Sequence, residues 1–270
     1  MEKEKNGIHM ITMSATPIPR TLAKTMYSQH MEVYPIHTMP NGRKRIKNCV
    51  TDSWSGTFRF MRSELEKGHQ VYVVCPMIEK NDYFENLLAI ETVVERYGPA
   101  LEGYKYGVLT GNTPKKDSEK IVDAFSGNEI QVLFAISVIE VGINVPNATG
   151  IIIHNAERFG LAALHQLRGR VGRGDDQAYC VFFSDDLANE RLHIIENTTD
   201  GYEIAQEDLK LRKPGDIVNG YRQSGKNEFM RLVVEHPDVY EECKRMIAET
   251  SPEELNMIYD LMKSSIYANI

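Results

Sequence analysis

Short, continuous apolar runs alternate with amphipathic stretches along most of this chain. Residues 8–13, 71–75, 106–109, 130–136, 150–153 and 179–183 are the apolar runs. Each is too short for a buried helix and lacks the in-out alternation of a half-solvated strand, which suits a parallel sheet covered on both faces. The stretches between them carry helix signals. Residues 81–97 are predicted as one helix. Thr113-Pro114 reads as an N-cap followed by proline at the first helical position, with Ile121, Val122 and Phe125 on one face. The expected class is therefore α/β, a parallel sheet flanked by helices. With 270 residues, 42% of them hydrophobic, the chain can bury a substantial core.

The pattern changes after about residue 197. Strand candidates stop, and charged, helix-like segments alternate with Pro214-Gly215 and Ser224-Gly225 breaks. Ser251-Pro252-Glu253-Glu254 fits a capping box, after which Leu255, Ile258, Met262 and Ile266 share a helical face. A mainly helical C-terminal appendage is expected. Cys49, Cys75, Cys180 and Cys243 form no Cys-x-x-Cys pair and read as reduced thiols. The histidines show no metal-ligand spacing, so no structural metal is expected. No apolar run reaches the length of a membrane span and no signal-peptide core follows the charged start, so a cytoplasmic protein is the default. The net charge of −7 counts mildly against nucleic-acid binding, but basic clusters lie at Arg43-Lys44-Arg45-x-Lys47 and around Lys210, Arg212, Lys213, Arg222 and Lys226. Counterion release needs one basic face, not a basic whole.

The chemistry-bearing stretch is Leu164-His165-Gln166-Leu167-Arg168-Gly169-Arg170-Val171-Gly172-Arg173-Gly174. Glycine permits tight turns, and arginine offers a permanently charged, planar fork of donors that matches phosphate oxygens. A Gln-x-x-Gly-Arg-x-Gly-Arg pattern reads as a phosphate-sensing element; the plainer alternative is a basic helix end at the surface. The Gly-x-x-x-x-Gly-Lys-Ser/Thr cradle that would hold a nucleotide's phosphates is not among these residues.

Two further segments, Met13-Ser14-Ala15-Thr16-Pro17-Ile18-Pro19-Arg20 and Ser137-Val138-Ile139-Glu140-Val141-Gly142-Ile143-Asn144-Val145-Pro146, lie upstream of the arginine run. With the arginine run they resemble, in order and spacing, motifs III, V and VI of superfamily 2 helicases. Residues 200–216, with Gln223-Ser224-Gly225, resemble the translocation motif that RecG-like helicases share with the transcription-repair coupling factor. The likeness covers about residues 10–225, and the Met39-Pro40-Asn41-Gly42-Arg43 segment is more similar to the RecG-like branch than to the coupling factor.

This resemblance implies a division into the tail of a first lobe (1–16), a second RecA-like lobe (17–198), and a translocation motif with a helical C-terminal region (199–270). It implies the motor lobe of an ATP-dependent DNA helicase that remodels stalled forks and Holliday junctions in repair and recombination. Arg173 would be the arginine finger, with Arg170 beside it and Gln166 setting the geometry; Arg168 would be structural or DNA-facing. Glu140, Gly142 and Asn144 would bind nucleotide. Ser14, Thr16, Gly111, Ser137, Arg212, Arg222 and Gln223 would contact DNA or couple lobe movement to translocation, Gln223 foremost. Asn144 stands where the family has aspartate, Lys213 where it has glycine, and Thr110 where it often has histidine. ATP and Mg2+ would be held mainly by a first lobe that these residues do not include. The partners would be branched duplex DNA, that lobe and a wedge domain. The chain thus reads as a truncated piece or half of a split protein, expected to be inactive alone. A non-catalytic DNA- or protein-binding module with a helicase-like fold is the alternative.

Overall fold

Among the described residues six strands pair, all of them in parallel. They are β1 (Lys47–Thr51), β2 (Gln70–Cys75), β3 (Tyr106–Leu109), β4 (Val132–Ile136), β5 (Ala148–Ile153) and β6 (Tyr179–Phe183), in the order β1-β6-β5-β2-β4-β3. The computed structural model describes residues 11, 13–15, 34, 36, 44–76, 90–136, 145–211, 237–251 and 253–257. These fall into two units, one of residues 1–17 and 35–208 and one of 18–34 and 209–270. The whole sheet belongs to the first.

Four of the apolar runs are the inner strands β2, β4, β5 and β6, as expected for a sheet covered on both faces, and a fifth is the edge strand β3. Every residue of β2 and β5 is buried. On one face Val71, Val73, Phe134, Ile152 and Phe183 form a core with Met61 and Leu65 of α1 (Trp54–Glu66) and Val93 and Tyr97 of α2 (Ile90–Tyr97). Alternate residues point the other way; of these Tyr72, Leu133, Ile151 and Phe182 are also buried. There Tyr72 meets Phe125 of α3 (Lys115–Ser126), with ring centroids 4.9 Å apart. Burying this much apolar surface on two faces is the dominant favourable contribution to folding. Between sheet and helices, Trp54 stacks on the His154 imidazole at 4.9 Å, and Tyr97 Oη lies 3.1 Å from His154 Nε2. Burial, with the Arg96 charge adding to it, pushes the His154 pKa down to about 3.

Three elements were not anticipated. β1 is an edge strand whose residues are only half-buried and mostly polar, so it lacks an apolar run; Lys47, counted in a basic cluster, opens it over the Tyr179 ring. Helix α1 starts at Ser53, whose Oγ accepts from Gly56 N at 3.1 Å. Helix α5 (Glu190–Asn197) is capped by Asn189 in the same manner.

The predicted cap of α3 is corrected. Thr113 Oγ1 accepts from Thr110 N at 3.0 Å and so serves the preceding turn. Pro114 takes the N-cap position instead, its carbonyl receiving Asp117 N and Ser118 N at 2.9 Å. Of the helix predicted over 81–97, α2 forms the described part. Of the strand predicted over 8–13, only Ile11 and Met13 are described; neither is in a strand, and both side chains lie open at 85% and 90% exposure. A strand needs a neighbour to pair with, and no strand of this sheet pairs there.

The first unit also carries α4 (Leu161–Arg168), and α6 spans Gly201–Leu211. In the second unit α7 covers Pro237–Glu249. Beyond it the capping box forms as predicted: Glu254 N donates to Ser251 Oγ at 3.3 Å and Ser251 N to Glu254 Oε2 at 3.2 Å. Ile258, Met262 and Ile266 lie outside the described residues.

Candidate functional site

Helix α4 brings the arginine run to the sheet. Leu161, Leu164 and Leu167 recur on one face and are buried, which fixes the helix against the core. Gly169 ends it. Arg170 N then closes on Leu167 O at 2.9 Å, and Val171 is buried completely. Gly172 follows with φ +72°, and a Cβ there would press on Ile46 at 3.1 Å and Ala178 at 3.3 Å. At Gly174 a Cβ would fall 2.7 Å from the Pro146 carbonyl oxygen. Both glycines are thus required by backbone geometry, one by its left-handed turn and one by close approach.

This seating leaves the arginines unequal. Arg173 is exposed, its Nε donating to Gly169 O at 3.4 Å. Arg170 is half-buried. Both guanidiniums act on the Tyr72 phenol: burial pushes that group up to about 12, while the Arg173 and Arg170 charges oppose the rise. Both charges are therefore within electrostatic reach of Tyr72. Neither is enclosed in the lobe.

Arg168 is different. Its side chain is 2% exposed, and Nη1 donates to Ile195 O at 2.7 Å and Thr198 O at 2.8 Å. Nη2 donates to His165 Nδ1 at 2.8 Å, so Nδ1 is the unprotonated nitrogen of a neutral ring. Burial first, then the Arg168 charge, push the His165 pKa down to about 4, with Asp200 pulling the other way. Arg168 braces α4 to the end of α5. His165 was missed in the sequence; its position three residues before Arg168 on a helix was the available signal.

The remaining candidates are dispersed. Gln166 is exposed on α4. Ser14 is exposed, and the adjoining Ala15 carbonyl sits so close to Gly201, at the start of α6, that a Cβ on Gly201 would collide with it. The same Cβ would lie 3.4 Å from His165 Nε2, so this segment meets α4 beside the arginine run. Gly111 is exposed just after β3, where nothing within 4 Å demands a glycine. It lies at the opposite edge of the sheet from the arginine segment, whose neighbours Ile46, Pro146 and Ala178 precede β1, β5 and β6. The structure does not bring Gly111 and Arg173 together. Ser137, Glu140, Gly142, Asn144, Thr16, Arg212, Arg222 and Gln223 lie outside the described residues.

Comparison with known proteins agrees with this architecture. Residues 56–175, from α1 through the arginine segment, match the helicase conserved C-terminal domain. The chain is 42% identical over 237 residues to the ATP-dependent DNA helicase RecG of Staphylococcus epidermidis, covering 84% of this chain and 34% of that protein. RecG of Staphylococcus aureus is 41% identical over 238 residues, with the same coverage. The chain thus spans about a third of the length of the curated relatives it matches. A solved structure of RecG bound to a three-way DNA junction superposes with a TM-score of 0.63 at 35% identity, over 83% of this chain and 30% of that one. Sequence, family model and architecture together identify the chain as the C-terminal, RecA-like lobe of a RecG-like superfamily 2 helicase.

Proposed function

We propose that this lobe supplies the arginines of an ATP-driven motor acting on branched duplex DNA. The observation that carries the reading is the seating of residues 169–174: Val171 is buried, Gly172 and Gly174 admit no side chain, and Arg173 is nevertheless exposed. A rigid backbone carrying an outward guanidinium suits a charge that must meet a phosphoryl group presented by another body.

ATP bound on a first lobe, with Mg2+, would supply the reacting phosphoryl group. This chain's part is electrostatic. Arg173, with Arg170 beside it, would offset the negative charge that grows on the transferring phosphoryl oxygens, a contribution of about 10³ to 10⁵ in rate for such arginines. Gln166, exposed on α4 just before them, would help set the geometry. Glu140, Gly142 and Asn144 would complete the nucleotide's surroundings, with Asn144 offering an acceptor without charge.

Motion follows from differential binding: nucleotide favours a closed pair of lobes, and its hydrolysis releases them. Ser14, next to the Ala15 that meets Gly201, and Thr16 would transmit this between lobes. Ser137 and Gly111 would touch the nucleic-acid backbone. Arg212, Arg222 and Gln223 would turn closure into a step along duplex DNA; Gln223→Ala should spare most ATP hydrolysis and impair unwinding. Backbone contacts of this kind position a protein without reading sequence. We divide the chain on this basis into residues 1–16, 17–198 and 199–270. The relatives' name and the three-way junction in the superposable structure support branched DNA as the substrate.

The test is unwinding of a synthetic fork by the intact protein that carries this lobe. ATP-dependent separation of fork arms, with Arg173→Ala inactive, supports the reading. Fork binding without any ATP-dependent change would make this a binding module instead.

A further inference from the structure

Asp176, three residues beyond Arg173, closes a chain of polar contacts that begins deep in the lobe. Glu64, near the end of α1, has a side chain 2% exposed. Its Oε1 accepts from Lys67 Nζ at 2.6 Å, and its Oε2 from Thr149 Oγ1 at 2.5 Å and His69 Nδ1 at 3.1 Å. Burial alone would push the Glu64 carboxyl up, but the hydrogen bonds from Lys67, Thr149 and His69 outweigh it and hold the group below its ordinary value. An ionised carboxylate only accepts, so His69 Nδ1 carries a proton. The other ring nitrogen, Nε2, faces Asp176 Oδ2 at 3.5 Å.

The three residues come from different places. Glu64 is on α1, His69 in the turn before β2, and Asp176 on the segment that leads from the arginines to β6. The imidazole is 17% exposed and Asp176 67% exposed, so the chain runs from core to surface. The His69 ring thus lies between two carboxylates. Next to Asp176, Gln177 Nε2 donates to Arg45 O at 2.8 Å and to Ala178 O at 2.9 Å. The arginine segment is thus fixed by α4 at one end and by these contacts at the other.

We propose that His69 and Asp176 are positioning residues for Arg173. Glu64, immobile within the lobe, holds the His69 ring, and the ring holds Asp176 and the end of the arginine segment. This rests on the reading of Arg173 as the arginine finger. A guanidinium on an exposed turn can point at a phosphoryl group only if its backbone is fixed, and displacement of a reacting group by about 1 Å can cost about 10²-fold in rate. A solvent-facing ion pair is weak, so loss of this one should misplace the finger part of the time, not abolish catalysis.

The test is a double-mutant cycle in the intact protein that carries this lobe. Asp176→Asn should lower DNA-stimulated kcat about three- to tenfold, with KM for ATP and melting temperature unchanged; His69→Gln should lower kcat as far with KM unchanged, but with a lower melting temperature, because buried Glu64 loses a donor. Asp176→Glu, which keeps the carboxylate, should recover most of the loss. In an Arg173→Ala background, Asp176→Asn should have no further effect on single-turnover phosphate release. An equal loss in both backgrounds, or none in the otherwise unaltered protein, overturns the proposal while leaving the arginine finger intact. Wild-type turnover by Arg173→Ala alone would remove the finger and this proposal with it.

Discussion

Arg168→Ala should destabilise the lobe more than any other arginine truncation near it. Two backbone carbonyls, of Ile195 and Thr198, take hydrogen bonds from one Nη1 at 2.7 and 2.8 Å. Hydrogen bonds from a charged donor contribute about 1.5–3 kcal/mol each. Ile195 is completely buried, so its carbonyl keeps only the long contact from Asn48 Nδ2 at 3.5 Å; Thr198 is half-exposed and can be hydrated. Releasing a guanidinium that burial disfavours returns part of the loss. The net is about 2–4 kcal/mol. At about 2–4 °C per kcal/mol for a unit of this size, the melting temperature should fall by roughly 4–16 °C. Urea unfolding of the chain would show the lower midpoint, and hydrogen exchange should quicken in α5, whose end Arg168 braces. Arg168→Lys should recover less than half, because a single ammonium cannot reproduce the planar fork. An unchanged midpoint for Arg168→Ala would refute the assignment of Arg168 as a brace.

Acid should destabilise the fold in a defined window. His165 and His154 titrate near 4 and 3 in the folded chain against an ordinary 6.5, so the unfolded chain takes up protons first. Stability is full above pH 6.5 and is lost as the pH falls towards those values, at up to about 1.4 kcal/mol per pH unit for the deeply buried His154. His154→Phe should flatten the slope while lowering stability at neutral pH, since Tyr97 loses its partner; denaturant midpoints from pH 7 to pH 4 measure both. Gly107→Ala would set a Cβ 2.7 Å from Ile121 Cγ2, and overpacking of this kind should cost about 1–3 kcal/mol by urea unfolding. Gly174→Ala should instead act on function: the Cβ meets the Pro146 carbonyl, so the arginine segment must shift, and ATP turnover of the intact protein should fall at least about tenfold.

The inner strands and the edge strand β3 were legible because each carries a continuous apolar run. Residues 106–109 and 179–183 match β3 and β6 to the residue. β1 was not, because an edge strand can be polar: its register against β6, Lys47 opposite Tyr179, comes from backbone pairing that no side chain announces. Helix α1 carries its buried residues Thr57, Met61, Glu64 and Leu65 at helical spacing, but two of the four are polar, which weakens the periodic signal. Arginine spacing singled out residues 164–174 as the candidate segment. It could not separate roles, since three arginines of one charge become a buried brace, a half-buried neighbour and an exposed side chain only through the packing of α4, Val171 and α5. The Glu64–His69–Asp176 contacts were invisible for a related reason: they join residues distant in sequence whose types, singly, are ordinary surface charges.

The most direct test of the central claim is single-turnover release of the γ-phosphate by the intact, DNA-bound protein carrying Arg173→Ala. An exposed guanidinium serving the phosphoryl transfer predicts a fall of about 10³-fold or more with nucleotide affinity largely kept. Turnover at the wild-type rate would contradict it.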